Sequence, residues 1–328
     1  PVNHNQIREK SENKKKGYKR FYPILKWLIS LISLGFFAFQ IAHIDGNLVM
    51  DIKKVVVGNG WWFTIVFALA LLNWNAEALK LRVLLAAEIV LSPIRTFFIV
   101  LGGMAISNFT PARTGEYVGR GLLLKKVHPI KVVIATITGN LAQVVFTYSI
   151  GFLAILYFIV FTGKGSEWID NDAKLYSAIA AFVGVVLFLA FAKSIVLWLI
   201  KFVPKKIAKT LKFIRKYNGP LFAKVLAFAG TRYLAFSLQF FLLLYIFSDF
   251  SLPISALALI PVAYLLQTLV PVPAISDIGV RVAVSQLLFG EFLESDAILQ
   301  AVSCLWFMNL ILPGLVGTFY LLYSLFRK

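Results

Sequence analysis

Apolar runs long enough to span a bilayer alternate along this chain with short polar loops. A transmembrane helix needs about 20 mostly apolar residues, and six runs qualify: 24–44, 61–79, 132–161, 176–200, 222–247 and 298–325. Two further apolar stretches, 94–124 and 255–290, are each broken near the middle by proline, glycine and charge. The breaks read Pro111-Ala-Arg-Thr-Gly-Glu116 and Pro271-Val-Pro-Ala-Ile-Ser-Asp277. The pattern predicts an all-α polytopic membrane protein with about six full spans.

Charge between the runs decides how the broken stretches lie, because short cytoplasmic loops are rich in Lys and Arg. The first twenty residues, with Lys14, Lys15, Lys16, Lys19 and Arg20, read as a disordered basic tail on the cytoplasmic side. With the tail inside, 45–60 becomes an outside loop and 80–95, with Lys80, Arg82 and Arg95, an inside one. The loop of Lys125, Lys126 and Lys131 is basic again, so 94–124 is expected to leave and return on one side. Lys201 to Lys224 carries eight basic residues and no acid, which places it inside. Glu291, Glu294 and Asp296 follow 255–290, so this second stretch is expected to return to the outside. The chain then divides into a tail (1–20), a membrane repeat (21–161) and a second, inverted repeat (162–328). Each repeat holds one re-entrant hairpin, and both termini lie in the cytoplasm. Interrupted helices at corresponding places in inverted repeats point to a transporter's binding site.

Composition narrows the class further. At 59% hydrophobic and 15% charged residues, a soluble protein could not hide its apolar surface. The net charge of +18 sits beside hydrophobic segments, which argues for a membrane surface and against nucleic acid. With Cys304 as the single cysteine and three histidines in all, neither an internal disulfide nor a metal site is expected. No Ser-His-Asp arrangement or glycine-rich phosphate loop is evident, and neither a catalytic residue nor a cofactor is assigned.

The two hairpins share chemistry. Pro111, Glu116 and Arg120 in the first match Pro273, Asp277 and Arg281 in the second, with each Arg four residues after its acid. At that spacing acid and Arg share a helix face. Gly115, Gly119 and Gly279 suit tight turns or close packing. Each pair reads either as a self-satisfying ion pair or as the lining of a site, since charge inside a bilayer needs a partner or water. Arg113 has no acid nearby in the motif except Glu116, which favours a headgroup role. Arg232, ten residues into its span, can pair with Glu77 or Asp277, or contact ligand.

These residues carry a family resemblance. Asn108-Phe-Thr-Pro-Ala-Arg-Thr-Gly-Glu-Tyr-Val-Gly-Arg120 resembles the Pro-x-Arg-x-Gly-Glu-x-x-Arg signature of the lysylphosphatidylglycerol synthetase/flippase transmembrane region. Ala78-Leu-Lys-Leu-Arg-Val-Leu-Leu85 is similar to the basic helix end preceding it there. Pro271 to Arg281 is a degraded second match: Ile275-Ser276 replaces a double glycine, Val282 an acid, and Asn140 with Gln143 an acid–Arg pair. The resemblance spans nearly the whole chain. No part of the sequence supplies the soluble aminoacyl-transfer domain of full-length synthetases. The resemblance therefore implies lipid translocation without lipid synthesis.

The expected substrate-binding set is Arg113, Glu116, Arg120, Arg232, Asp277 and Arg281. Its excess of arginine suits a lipid phosphate, as in phosphatidylglycerol derivatives, other phospholipids or polyprenyl-phosphate carriers. An intramembrane transferase using Glu116 and Asp277 as acid and base is the enzyme alternative. A membrane subunit that partners another lipid enzyme, or an oligomer, is the third.

Overall fold

The computed structural model describes residues 46–108, 110, 114–161, 176, 217–269 and 277–326, and every regular element among them is helical. The basic tail, the spans 24–44 and 176–200, and the basic loop around Lys206 lie outside the described residues. In chain order the helices are α1 (Gly46–Gly58), α2 (Gly60–Leu85), α3 (Pro93–Ser107), α4 (Gly115–Leu123), α5 (Pro129–Phe161) and α6 (Gly219–Phe247). A 3₁₀ turn (Ile254–Ala258) leads into α7 (Leu259–Leu269), followed by α8 (Asp277–Phe289) and α9 (Ser295–Trp306). A π turn (Phe307–Ile311) joins α9 to α10 (Leu312–Phe326).

Four of these runs are long and apolar enough to cross a membrane: Gly60–Leu85, Pro129–Phe158, Gly219–Phe247 and Ser295–Ser324. At about 1.5 Å per residue each exceeds the ~30 Å hydrocarbon core. The chain is a multi-pass membrane protein. Local signals set the starts. The Asn218 side chain caps α6 by accepting from Leu221 N at 3.0 Å, with Pro220 in the first turn. Ser92 caps α3 just ahead of Pro93.

Two expectations need correcting. Residues 45–60, read as a loop, form α1 from Gly46 onward, and its Ile52, Val55 and Val56 pack against the core. At spacings of three and four these residues share one helix face, which gives the segment something to bury. Nor does the second span end at 79 with Lys80 in a loop. The helix α2 continues to Leu85, and Lys80 is buried, because Glu77 one turn earlier supplies its counter-charge.

Two apolar clusters hold opposite ends of the bundle. Leu84, Leu91, Leu124, Val127, Tyr217 and Leu321 gather at one end. There Lys131 pairs with Glu88 at 2.5 Å, and Tyr217 Oη donates to Leu84 O at 2.9 Å. Burial, helped by the Glu88 carboxylate, pushes the Tyr217 phenol well above its ordinary pKa, so it remains a donor. Phe63, Phe247, Leu252, Phe289, Leu293 and Ile298 gather at the other end.

The broken stretches form helix pairs rooted at these two ends. Helices α3 and α4, of 15 and 9 residues, are about 22 and 14 Å long. They pack antiparallel: a Cβ on Gly115 would meet Ile106 O at 2.5 Å, and one on Gly119 would meet Gly103 Cα at 2.8 Å. Only glycine lets the two backbones approach so closely. The turn between them is held by Thr110, whose Oγ1 accepts from Gly115 N at 2.6 Å. The Glu88–Lys131 ion pair ties the loop entering α3 to the start of α5, so this segment begins and finishes at one end of the bundle. Helices α7 and α8 pair likewise and are rooted at the opposite end, where Leu252 and Phe289 share a cluster. Of the two roles open to Gly279, a tight turn or close packing, the second is not seen among the described residues, where a Cβ would meet open space.

Packing relates the two halves. Helices α2 and α6 lie against each other; α10 packs on α3 as α5 packs on α7; α4 packs on α5 as α8 packs on α9. The last helix of each half thus covers the first short helix of the other.

Candidate functional site

A buried charge cluster forms where α2, α4 and α6 meet. Its centre is Glu77, whose carboxylate pairs with Lys80 Nζ at 2.6 Å, Arg232 Nη1 at 2.6 Å and Arg120 Nη2 at 3.0 Å. Arg120 also pairs with Glu116 one turn away on α4. Among the described residues three cations thus face two carboxylates, one positive charge in excess. The side chains of Glu77, Lys80 and Arg120 are each 1% exposed, whereas Arg232 keeps 22%. Arg120 is therefore committed to protein partners, and Arg232 retains an open edge.

Local sequence explains the convergence. Glu77 and Lys80 stand three apart on α2 and share a face. Gly103 and Gly119 draw α4 against α3, and Gly103 lies directly over the Arg120 stem, so that a Cβ there would meet Arg120 Cγ at 2.8 Å. Gly139 on α5 makes room for the Lys80 stem in the same manner, since its Cβ would stand 3.0 Å from Lys80 Cε.

A chain of hydrogen bonds leads away from the cluster. Arg232 Nε donates to Asn73 Oδ1 at 2.9 Å, Asn73 Nδ2 to Asn309 Oδ1 at 2.8 Å, and Asn309 Nδ2 to Gln239 Oε1 at 2.8 Å. Asn309 lies in the π turn, a distortion often found at functional positions. The same turn holds the tip of the first hairpin, since Asn108 Nδ2 donates to Leu310 O at 3.0 Å.

Of the six expected site residues, Glu116, Arg120 and Arg232 come together here. Arg281 stands apart from that cluster, its guanidinium carbon 6.0 Å from the centre of the Phe236 ring on α6. Asp277 opens α8, but its side chain, like all of Arg113, lies outside the described residues. Glu77 and Lys80 are the members missed as site residues. A carboxylate inside an apolar run was the available signal for Glu77. Lys80 was masked by its nearness to the basic helix end.

The halves are chemically unequal at matching places. Glu77 and Phe236 stand equally far from the first residues of α2 (Gly60) and α6 (Gly219), as do Asn73 and Arg232. The first hairpin's Arg120 meets Glu77 on α2, and the second hairpin's Arg281 lies over the Phe236 ring on α6. Among the described residues no group of three or more His, Cys, Asp or Glu is placed to hold a metal ion.

Comparison with known families agrees with this architecture. The family model described as "Lysylphosphatidylglycerol synthase TM region" matches residues 24–317. Neither the curated proteins nor the solved structures include a match to the chain.

Proposed function

Since the chain belongs to the lysylphosphatidylglycerol synthase transmembrane-region family, we propose that it moves a phosphate-bearing phospholipid between membrane leaflets, an aminoacylated phosphatidylglycerol being one candidate. The reading is carried by the two short-helix pairs rooted at opposite ends of the bundle. In a membrane, pairs this short are re-entrant hairpins, and the reciprocal packing of the halves fits an inverted repeat. Such repeats place their substrate where the interrupted helices meet.

Charge supports an anionic or zwitterionic headgroup, because the interior cluster has one cation more than it has carboxylates. The arginines divide the work. Arg120 is a strut that holds α4 to α2. Arg281 and the open edge of Arg232, whose neighbours Phe236 and Asn73 face them from the paired central helices, are the groups that receive a phosphate. By the distribution of basic loops, the end with Glu88 and Lys131 faces the cytoplasm.

Transport of a fluorescent headgroup-labelled phospholipid in proteoliposomes tests this. Arg281→Gln should lose most of the flipping, with Lys restoring part of it, since Lys keeps the charge and loses the planar fork. Arg120→Gln should instead lower thermal stability, because it leaves two carboxylates buried without their shared partner. Wild-type flipping by stable Arg281→Gln would sink the assigned role.

A further inference from the structure

Away from the charge cluster, a cavity of ≈ 420 Å³ opens between α5, α6 and the 3₁₀ turn. Its wall is apolar, with Ile150 on α5, Leu234 and Leu238 on α6, and Ile254 on the turn. Leu234, Leu238 and Ile254 are 59%, 44% and 81% exposed, so the cavity opens sideways onto the surface that a lipid bilayer covers. Tyr233 and Ser237 also line it, one turn apart on α6. Both residues are more than nine-tenths buried. Their hydroxyls lie within reach of each other, yet neither completes a hydrogen bond. A buried hydroxyl without a partner costs about 1–3 kcal/mol, so the two, unpartnered among the described residues, are poised for a further acceptor.

We propose that this cavity takes one acyl chain of a diacyl lipid, with the chain's ester carbonyl accepting hydrogen bonds from Tyr233 Oη and Ser237 Oγ. The inference rests on the lipid-handling reading above and extends it from the headgroup to the tail. Several observations select an ester over other acceptors. No lining residue is charged, which disfavours a phosphate at this point, since buried charge needs a counter-charge. The volume lies near the low end of the roughly 300–1,000 Å³ typical of ligand sites, enough for part of one chain and too small for a whole lipid. Position also fits: Arg232 precedes Tyr233 in the chain, and Phe236, which carries Arg281 over its ring, precedes Ser237. From Arg232 to Ser237 the helix rises about 7.5 Å. Along the α6 axis the arginine-bearing positions and the two hydroxyls thus lie within about two turns of one another.

The test is competition between two phosphatidylglycerols with identical chains, one ester-linked and one ether-linked, for the purified full chain, read by native mass spectrometry. The ether lipid keeps phosphate, glycerol and tails but lacks the carbonyl. Wild type should prefer the ester lipid by about two- to tenfold per hydroxyl engaged. Tyr233→Phe and Ser237→Ala should each reduce that preference, and the double variant should abolish it. Because neither hydroxyl completes a hydrogen bond among the described residues, the variants should keep or raise thermal stability in detergent. Equal binding of the two lipids by wild type, an undiminished preference in the double variant, or a marked loss of stability in the variants overturns the proposal. Flipping is scored separately on the wild type. An ester preference without flipping removes the transport reading and leaves this site standing, whereas flipping without the preference does the reverse.

Discussion

Removing the carboxylate at position 77 leaves Lys80, Arg120 and Arg232 facing one another with Glu116 as the one remaining acid of the cluster among the described residues. Breaking a buried pair on one side costs about 3–5 kcal/mol, because the remaining charge stays desolvated. Glu77→Gln should therefore unfold well below wild type in a detergent thermal-shift assay. Glu116→Gln should be milder, since Arg120 keeps its 3.0 Å contact with Glu77. Equal losses from the two substitutions would show that Glu77 is not the hub. Lys80 illustrates how one residue can be read wrongly. A lysine near the end of an apolar run looks like a loop anchor under the positive-inside rule, and only the acid one helical turn earlier marks it as buried.

At the level of elements, the π turn joins parts of the fold that helices alone would leave separate. Its Asn309 links Asn73 on α2 to Gln239 on α6, while Leu310 O holds the tip of the α3–α4 pair. Interhelical polar contacts in membranes are worth about 0.6 kcal/mol on average and up to about 1.7. Asn309→Leu breaks two such bonds and should lower stability by about 1–3 kcal/mol, visible as a shift in thermal midpoint. No change would mean that the amide chain is not stabilising. Much of this level is legible in the sequence. Apolar length marks all four described spans, and interruptions by proline and charge mark both helix pairs. The amphipathic α1 is too short to register as a span and reads as a loop. Pairings such as Glu77 with Arg232, 155 residues apart, stay open because several acids compete for one arginine. The π turn has no sequence signature.

For the whole molecule, the proposed orientation predicts which loops a membrane-impermeant thiol reagent reaches. In a Cys304→Ser background, single cysteines at Lys126 and Lys206 should be labelled only from the cytoplasmic side, and those at Asp170 and Glu294 only from outside. Outside labelling at 126 would mean that 94–124 crosses the membrane, and the inverted arrangement of halves would fall. The dependence of Glu77 on Arg232 also sets a timetable for biogenesis. At roughly 5–20 residues per second, the ribosome covers the 155-residue separation in about 8–30 s. Until then the first half holds Glu77 with Lys80 and Arg120 but without Arg232. Residues 1–161 produced alone should be cleared quickly by membrane quality control, and co-expression with residues 162–328 should lengthen their lifetime in a pulse-chase measurement. A long-lived solitary first half would mean that Lys80 and Arg120 suffice to hold Glu77. The newly made protein gains the cluster's third cation only when its sixth described helix arrives.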